Sequence, residues 1–426
     1  MKTHLKKLSN NLNTIVVDTE AFPSVTALLL VGAGSRYEHA KNNGIAHFFE
    51  HMAFKGSKKY PSTLQLASII EGLGGAFNAF TSQDHTGYYV KAPSEHFEQI
   101  TDVIADMVQR PLLSPDEIER EKGVIVEEIN MYEDMPQRKV FELFEGLLYQ
   151  GNPLGFDIAG SKETVMSFDR KTFTDYIGEF YHPSNAVFVA AGGFAGINAE
   201  KIIDQKFAGW KDGKAGSYLP VIENQTAPQT LFRSKKTEQA HLCIGFRAFS
   251  YEDPRRYALQ VLSAILGKGM ASRLFMEVRE RRGLAYHVST YTDFYSDTGT
   301  IVTHAGIRAD EKQVLESIKV ILAEHSKILG GSISDEEITR VKELMKGGLI
   351  LSLEDSLNVA SFYGKKLLMQ KEIISPEELI NKIQAVTKEE VIAVAKDVFV
   401  NGGLNMSLIA PFKNKTPFEK ALTMSS

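Results

Sequence analysis

Two histidines four residues apart with a glutamate beside the second, as in His47-Phe48-Phe49-Glu50-His51, carry the makings of hydrolytic metal chemistry. On a helix both imidazoles project from one face and can meet one ion, and Glu50, three residues after His47, shares that face. Neutral imidazole suits zinc, and a carboxylate next to such an ion can take a proton from water. A catalytic zinc needs three protein ligands and an open position, so the pentapeptide is one ligand short. The pattern is short enough to arise by chance among ordinary histidines, which makes the missing ligand the deciding question. Glu121 and Glu128 stand seven residues apart, two helical turns, and so on one helix face. Glu127 is a rival, turned by about 100°. Solvated charge is the plain reading of the acidic residues on this stretch, Glu117, Glu119 and Glu127 among them.

The elements that would position these groups can be read from periodicity. Asn13 to Val17 and Val25 to Val31 are β-branched and apolar, as strands require, and Gly44 to Phe54 reads as a helix closed by Gly56. A second helix, Thr63 to Leu73, ends at Gly74-Gly75. Phe77 to Thr81 and Thr86 to Lys91 then read as strands joined by a polar turn, and Ser94 to Gln109 as a helix. Ser114, Pro115 and Glu117 form a strong helix start, a capping serine followed by proline and an S-x-x-E box. From there the pattern runs helical to about Tyr149, with a break expected at Pro136. Lys162 to Phe180 reads as a helix, Asn185 to Ala191 as a buried strand and Asn198 to Phe207 as a helix.

Trp210 to Gln229 loses periodicity and gathers Gly, Lys, Ser, Asn and Pro, the composition of a linker. Afterwards the order of elements recurs: strand Ala240 to Phe246, helix Pro254 to Leu266, strands Ala285 to Phe294 and Thr298 to Ala305, helix Asp310 to Ile328. Ser334-Asp335-Glu336-Glu337-Ile338 repeats the capped start of Ser114 to Ile118, an offset of 220 residues. The expectation is an α+β chain of two homologous domains, 1–212 and 230–426, joined by a linker at 213–229, each a mostly antiparallel sheet flanked by helices. In the second half the positions matching Glu121 and Glu128 are Val341 and Gly348, and no second H-x-x-E-H occurs. One metal site per chain follows.

Composition narrows the alternatives. With 43% hydrophobic residues the chain can fill more than one core, and a formal charge of -5 without a basic stripe argues against nucleic acid as a partner. One cysteine, Cys243, excludes an intrachain disulfide, and its neighbours Leu242 and Ile244 place it in a buried strand. No apolar run long enough to span a membrane occurs, and a cytoplasmic protein is expected. The remaining histidines, His39, His85, His182 and His304 among them, have no partner at ligand spacing and read as structural or surface residues.

His47 to His51 followed by Glu121-x6-Glu128 resembles the pitrilysin or insulinase family of metallopeptidases, M16, which includes the mitochondrial processing peptidase. The resemblance extends through HFFEHMAFKGS from His47, GGAFNAFTSQDHTGYY from Gly74, Ser114 to Met131, and YHPSNAVFVAAGG from Tyr181. It implies zinc held by His47, His51 and Glu128, Glu50 as general base, and Glu121 as the acid that orients the site. GKGMASRLF from Gly267 is similar to the segment around the glycine-rich loop of the processing peptidase's α subunit, without that subunit's long insertion. Arg279 and Tyr286, in VRERRGLAY, are spaced like the arginine and tyrosine that family members bring to the substrate. A solvated helix end is the plain reading of Arg279. Asn78-Ala79-Phe80-Thr81 corresponds to the family's edge strand, which pairs with an extended peptide; small-aromatic alternation is also what a packed sheet needs.

The resemblance further implies a clamshell chamber, of which this chain would form one half, acting on peptides or unfolded segments. A homodimer is the expected assembly, with a heterodimer with a degenerate homologue as the alternative. A non-catalytic M16-like subunit or a peptide-binding partner is the rival reading of function.

Overall fold

Ser24–Val31 is apolar at almost every position, and a strand of that kind needs cover on both faces. In the computed structural model, which describes residues 1–424, it lies inside a six-stranded sheet. The strands are β1 (Lys2–Lys7), β2 (Asn13–Asp18), β3 (Ser24–Val31), β4 (Ala76–Thr81), β5 (Thr86–Pro93) and β6 (Ala186–Gly192), in the order β1-β2-β6-β3-β5-β4. Only β2 and β6 pair in parallel. Val25, Ala27 and Leu29 face a core shared with Phe48, Phe49 and Met52 of helix Ile45–Ala53 and with Ile100 and Ile104 of helix Phe97–Gln109. Leu28 and Leu30 face the other way, with Ile15, Val17, Val187 and Val189, against Val359, Ala360 and Tyr363 of helix Ser356–Lys365. Each such aliphatic side chain contributes roughly 1.5–3 kcal/mol by leaving water.

The second sheet contains β7 (Gln229–Ser234), β8 (Gln239–Ala248), β9 (Ala285–Phe294), β10 (Gly299–Arg308) and β11 (Asn405–Ala410), in the order β7-β11-β8-β10-β9. Again one pair is parallel, β7 with β11. Apart from β1, the second order repeats the first strand for strand, which bears out two homologous α+β domains. Cys243 is buried in β8.

The compact units are not the linear halves expected from the sequence. One comprises Met1–Asn130, Phe156–Leu219 and Ile350–Ile374; the other comprises Met131–Gly155, Pro220–Leu349 and the chain from Ser375 onward. The difference has a packing cause. Helix Pro136–Leu148 buries Val140, Phe144 and Leu148 with Cys243, Val302 and Ile409 of the second sheet, while helix Ser356–Lys365 covers the first. Each sheet thus takes the cover of one face from the other half of the sequence. Residues 211–226, within the expected linker region, form neither helix nor strand.

The single helix expected over 162–180 is two, Lys162–Ser167 and Arg170–Phe180, because the Asp169 carboxylate accepts the Thr172 N–H and starts a new helix. The long helix from Pro115 ends at Glu133, and another begins at Pro136. Among the described residues no helix is long and apolar enough to cross a membrane.

Candidate metal centre

Helix Ile45–Ala53 is oriented by its apolar side. Phe48, Phe49 and Met52 are fully buried, which leaves His47 and His51 on another face. Gly44 precedes the helix at φ 97°, a left-handed conformation that glycine adopts without strain. The first helical N–H groups lack intrahelical partners. Here Glu38 serves them: its buried carboxylate accepts from Gly44 N and Ala46 N, both at 2.8 Å, and from Asn43 Nδ2 at 2.9 Å. Burial pushes the Glu38 carboxyl up to about 8, against the pull of those bonds. No local motif marked Glu38 in the sequence.

The helix Pro115–Glu133, which carries the candidate ligand Glu128, is anchored through Ile118 and Ile125 in the core. Glu121 and Glu128, each three residues further on, fall on a neighbouring face. Glu128 Oε2 lies 3.4 Å from His51 Nε2 and 3.6 Å from His47 Nε2. One ligand atom from each of these residues lies within 4.8 Å of the others. Zinc bonds of 2.0–2.2 Å in tetrahedral array give ligand-to-ligand edges of about 3.3–3.6 Å, so the two short edges fit one shared ion better than direct hydrogen bonds. Glu127, the rival by spacing, is exposed and accepts from Asn130 Nδ2.

Glu121 is buried behind this cluster. Its Oε1 accepts from His51 Nδ1 at 2.9 Å and its other oxygen pairs with the Lys55 ammonium. That bond fixes the tautomer, with the His51 Nε2 lone pair left toward the Glu128 side. Burial alone would raise the Glu121 carboxyl; the bonds from His51 and Lys55 hold it below its ordinary value. For His51, burial acts to lower the pKa, but the carboxylates of Glu121 and Glu128 outweigh it and raise it to about 9. A metal bound there would compete with that proton.

Glu50 is raised by burial, with the Thr81 hydrogen bond and His51 pulling the other way. Thr81 Oγ1 donates to Glu50 Oε2 at 2.5 Å, so the end of β4 holds the Glu50 carboxylate in place. This contact has no signature in the sequence, where Thr81 reads as part of a substrate strand. β4 ends the sheet order, with β5 on one side and no strand on the other among the described residues. Of its expected substrate residues, Asn78 is exposed, Ala79 is buried, and the Phe80 ring lies 5.6 Å from the Lys365 ammonium.

Arg279 and Tyr286 belong to the second unit, apart from the unit that carries the histidines. They meet each other: the Arg279 guanidinium lies 5.2 Å from the Tyr286 ring centre. Arg279 lies in the helical turn Phe275–Glu280, and Tyr286, 76% exposed, is near the start of β9.

The profile described as "Insulinase (Peptidase family M16)" matches residues 14–162, and that described as "Peptidase M16 inactive domain" matches residues 167–345. The chain belongs to peptidase family M16. An uncharacterized zinc protease, YmxG, of Bacillus subtilis is 36% identical over 406 residues, covering 95% of this chain and 97% of the relative. The mitochondrial-processing peptidase subunit beta of Homo sapiens is 29% identical over 419 residues, covering 95% of this chain and 84% of that protein. Among solved structures, a protease from Helicobacter pylori superposes with a TM-score of 0.89 at 22% identity, covering 96% of this chain and 99% of that one. At that identity the likeness concerns the fold.

Proposed function

We propose that this chain is a zinc-dependent endopeptidase that hydrolyses peptides or unfolded segments, with His47, His51 and Glu128 as metal ligands and Glu50 as general base. The observation that carries the reading is the convergence of His47 Nε2, His51 Nε2 and Glu128 Oε2, with Glu50 on the same helix. Zinc bound by these residues supplies a positive charge that acidifies water near neutral pH and polarises a peptide carbonyl. Glu50 takes the proton from the attacking water and returns it to the leaving amine. Its raised pKa suits a group that must both accept and release a proton, and Thr81 keeps the carboxylate from turning away. Glu121 orients His51, and the open edge of β4 at Asn78–Thr81 pairs with an extended substrate backbone.

In the homodimer, Arg279 and Tyr286 of the partner subunit complete the substrate contacts, Arg279 on a carbonyl and Tyr286 as a hydrogen-bond donor to the developing oxyanion. We place the active form as a homodimer enclosing a chamber; that the human relative is a subunit of a processing peptidase supports an assembly of M16 chains, and a heterodimer is the alternative. The rival, a non-catalytic subunit, gains little from the second profile's description, since that profile covers residues 167–345 and none of the ligands.

The test is cleavage of an internally quenched, unstructured peptide by the purified protein. Cleavage should vanish on chelation, return with zinc, and fall by about 10²–10⁴-fold in Glu50→Gln with zinc retained. A zinc-loaded protein that cleaves nothing in a diverse peptide pool overturns the enzyme in favour of the subunit reading.

A further inference from the structure

We propose that His241, His287 and His304 form a second metal site, which takes a divalent transition-metal cation through three imidazoles on one face of the second sheet. Sequence spacing hides this group, because the three residues lie on three strands. The register brings them together: on β10, Gly306 stands opposite His241 of β8 and opposite His287 of β9, and His304 is two residues away on the same face. Gly306 carries no side chain, so nothing from β10 itself stands between the two flanking histidines at this position. A Cβ built at Gly306 would come within 3.9 Å of His241 Nδ1 and 3.1 Å of the Gln239 side-chain oxygen, so that nitrogen and that oxygen face the gap.

The ring centres of His241 and His304 are 5.9 Å apart and those of His287 and His304 are 5.6 Å apart. Imidazoles that share a tetrahedral zinc at 2.0–2.1 Å have ring centres roughly 5 Å apart. The rings are therefore close to coordinating separation, but the His241 and His304 planes lie parallel at 7°, and among the described residues only His47, His51 and Glu128 have their ligand atoms already gathered. Binding turns the rings. His287, exposed on the edge strand, would give up its 3.4 Å hydrogen bond with the Tyr291 hydroxyl to do so.

Two observations separate this group from an ordinary aromatic cluster. His241 Nδ1 and His304 Nε2 are buried without a hydrogen-bond partner, an unfavourable condition that a metal bond relieves. Both rings are also held neutral, the form that binds metal: burial lowers His241, and burial with the two neighbouring histidines lowers His304 to about 3. Phe141 covers His304 at 4.8 Å between ring centres, which gives the site an apolar wall.

The test uses the full chain, stripped by chelation and dialysed against buffered Zn²⁺, with bound metal counted by mass spectrometry. Two ions per chain are expected in the natural protein and one in His47→Gln/His51→Gln. In the latter background, Cu²⁺ should give a paramagnetic resonance spectrum with coupling to three nitrogens. His287→Asn, at an exposed position where folding is not at stake, should weaken the second ion at least tenfold. A single ion per chain in the natural protein overturns the proposal, as does a second ion whose affinity is unchanged in both His287→Asn and His241→Gln.

Discussion

The helices Pro115–Glu133 and Asp335–Ser352 begin with the same capped start, in two units with the same strand order, yet they present opposite surfaces. Where the first offers Glu121 and Glu128 to a histidine pair, the second has buried Val341 and exposed Gly348. The helix Arg256–Gly267 follows β8 as Ile45–Ala53 follows β3, and its face is closed by Val261, Leu262, Ala264 and Ile265 rather than opened by histidines. Strand order and crossing helices are what both cores need for packing; a handful of side chains decides which of the two matched helix pairs can hold an ion. The comparison can be broken at matched positions.

The largest effect is expected at Glu128. Glu128→Ala removes the proposed third ligand, and peptide cleavage should drop below detection and stay there at high zinc, while circular dichroism shows an unchanged fold. Retained cleavage would mean that another residue, Glu127 being the nearest in sequence, supplies the ligand.

The two units also hold histidines that titrate in opposite directions. His51 is raised to about 9, so without metal its contribution to stability is complete below its ordinary pKa of 6.5 and fades as pH climbs toward 9. In the second unit His325 is fully buried, stacked 4.5 Å from Phe399, with both ring nitrogens unpartnered, and burial lowers it to about 3. Its unfolded form takes a proton below about 6.5 while the folded form does not. The contribution of His325 is therefore whole above 6.5 and is lost as pH falls toward 3, with a slope of at most about 1.4 kcal/mol per pH unit. Urea unfolding of metal-stripped protein from pH 7 to pH 4 should show this decline, and His325→Leu should flatten it. An equally steep decline in His325→Leu would place the acid sensitivity elsewhere, with His85 or His304, both also lowered to about 3, as the next residues to change.

These contrasts separate what the chain states locally from what it states only in three dimensions. The pair His47 and His51 was legible because helical geometry alone puts them on one face. Glu128 was legible by its two-turn relation to Glu121, but its choice over Glu127 rested on resemblance, since nothing local says which face of the ligand helix meets the histidines. Glu38, Lys55 and the Thr81 contact to Glu50 were illegible as a group: each acts through a partner that the fold, not the spacing, supplies. Lys55 was the nearest to readable, standing one turn beyond His51. The crossing helices failed for a related reason. Val140, Phe144 and Leu148 announce an apolar stripe that must be buried, and the stripe carries no label for the sheet that buries it.

The smallest effect is the sharpest test of the difference between the units. Gly348 occupies the place of Glu128, yet a Cβ there would meet nothing within 4 Å, and the residue is exposed in a helix interior. Glycine in such a position costs roughly 0.5–1 kcal/mol relative to alanine, because it gives up more backbone freedom on folding. Gly348→Ala should therefore stabilise the second unit and raise its melting temperature by about 2–4 °C at most, with peptide cleavage unchanged. The same alanine that abolishes cleavage at 128 would thus be mildly favourable at 348. A fall in cleavage in Gly348→Ala would show instead that the second helix needs its bare backbone for a contact made during turnover, and the matched position would be functional in both units for different reasons.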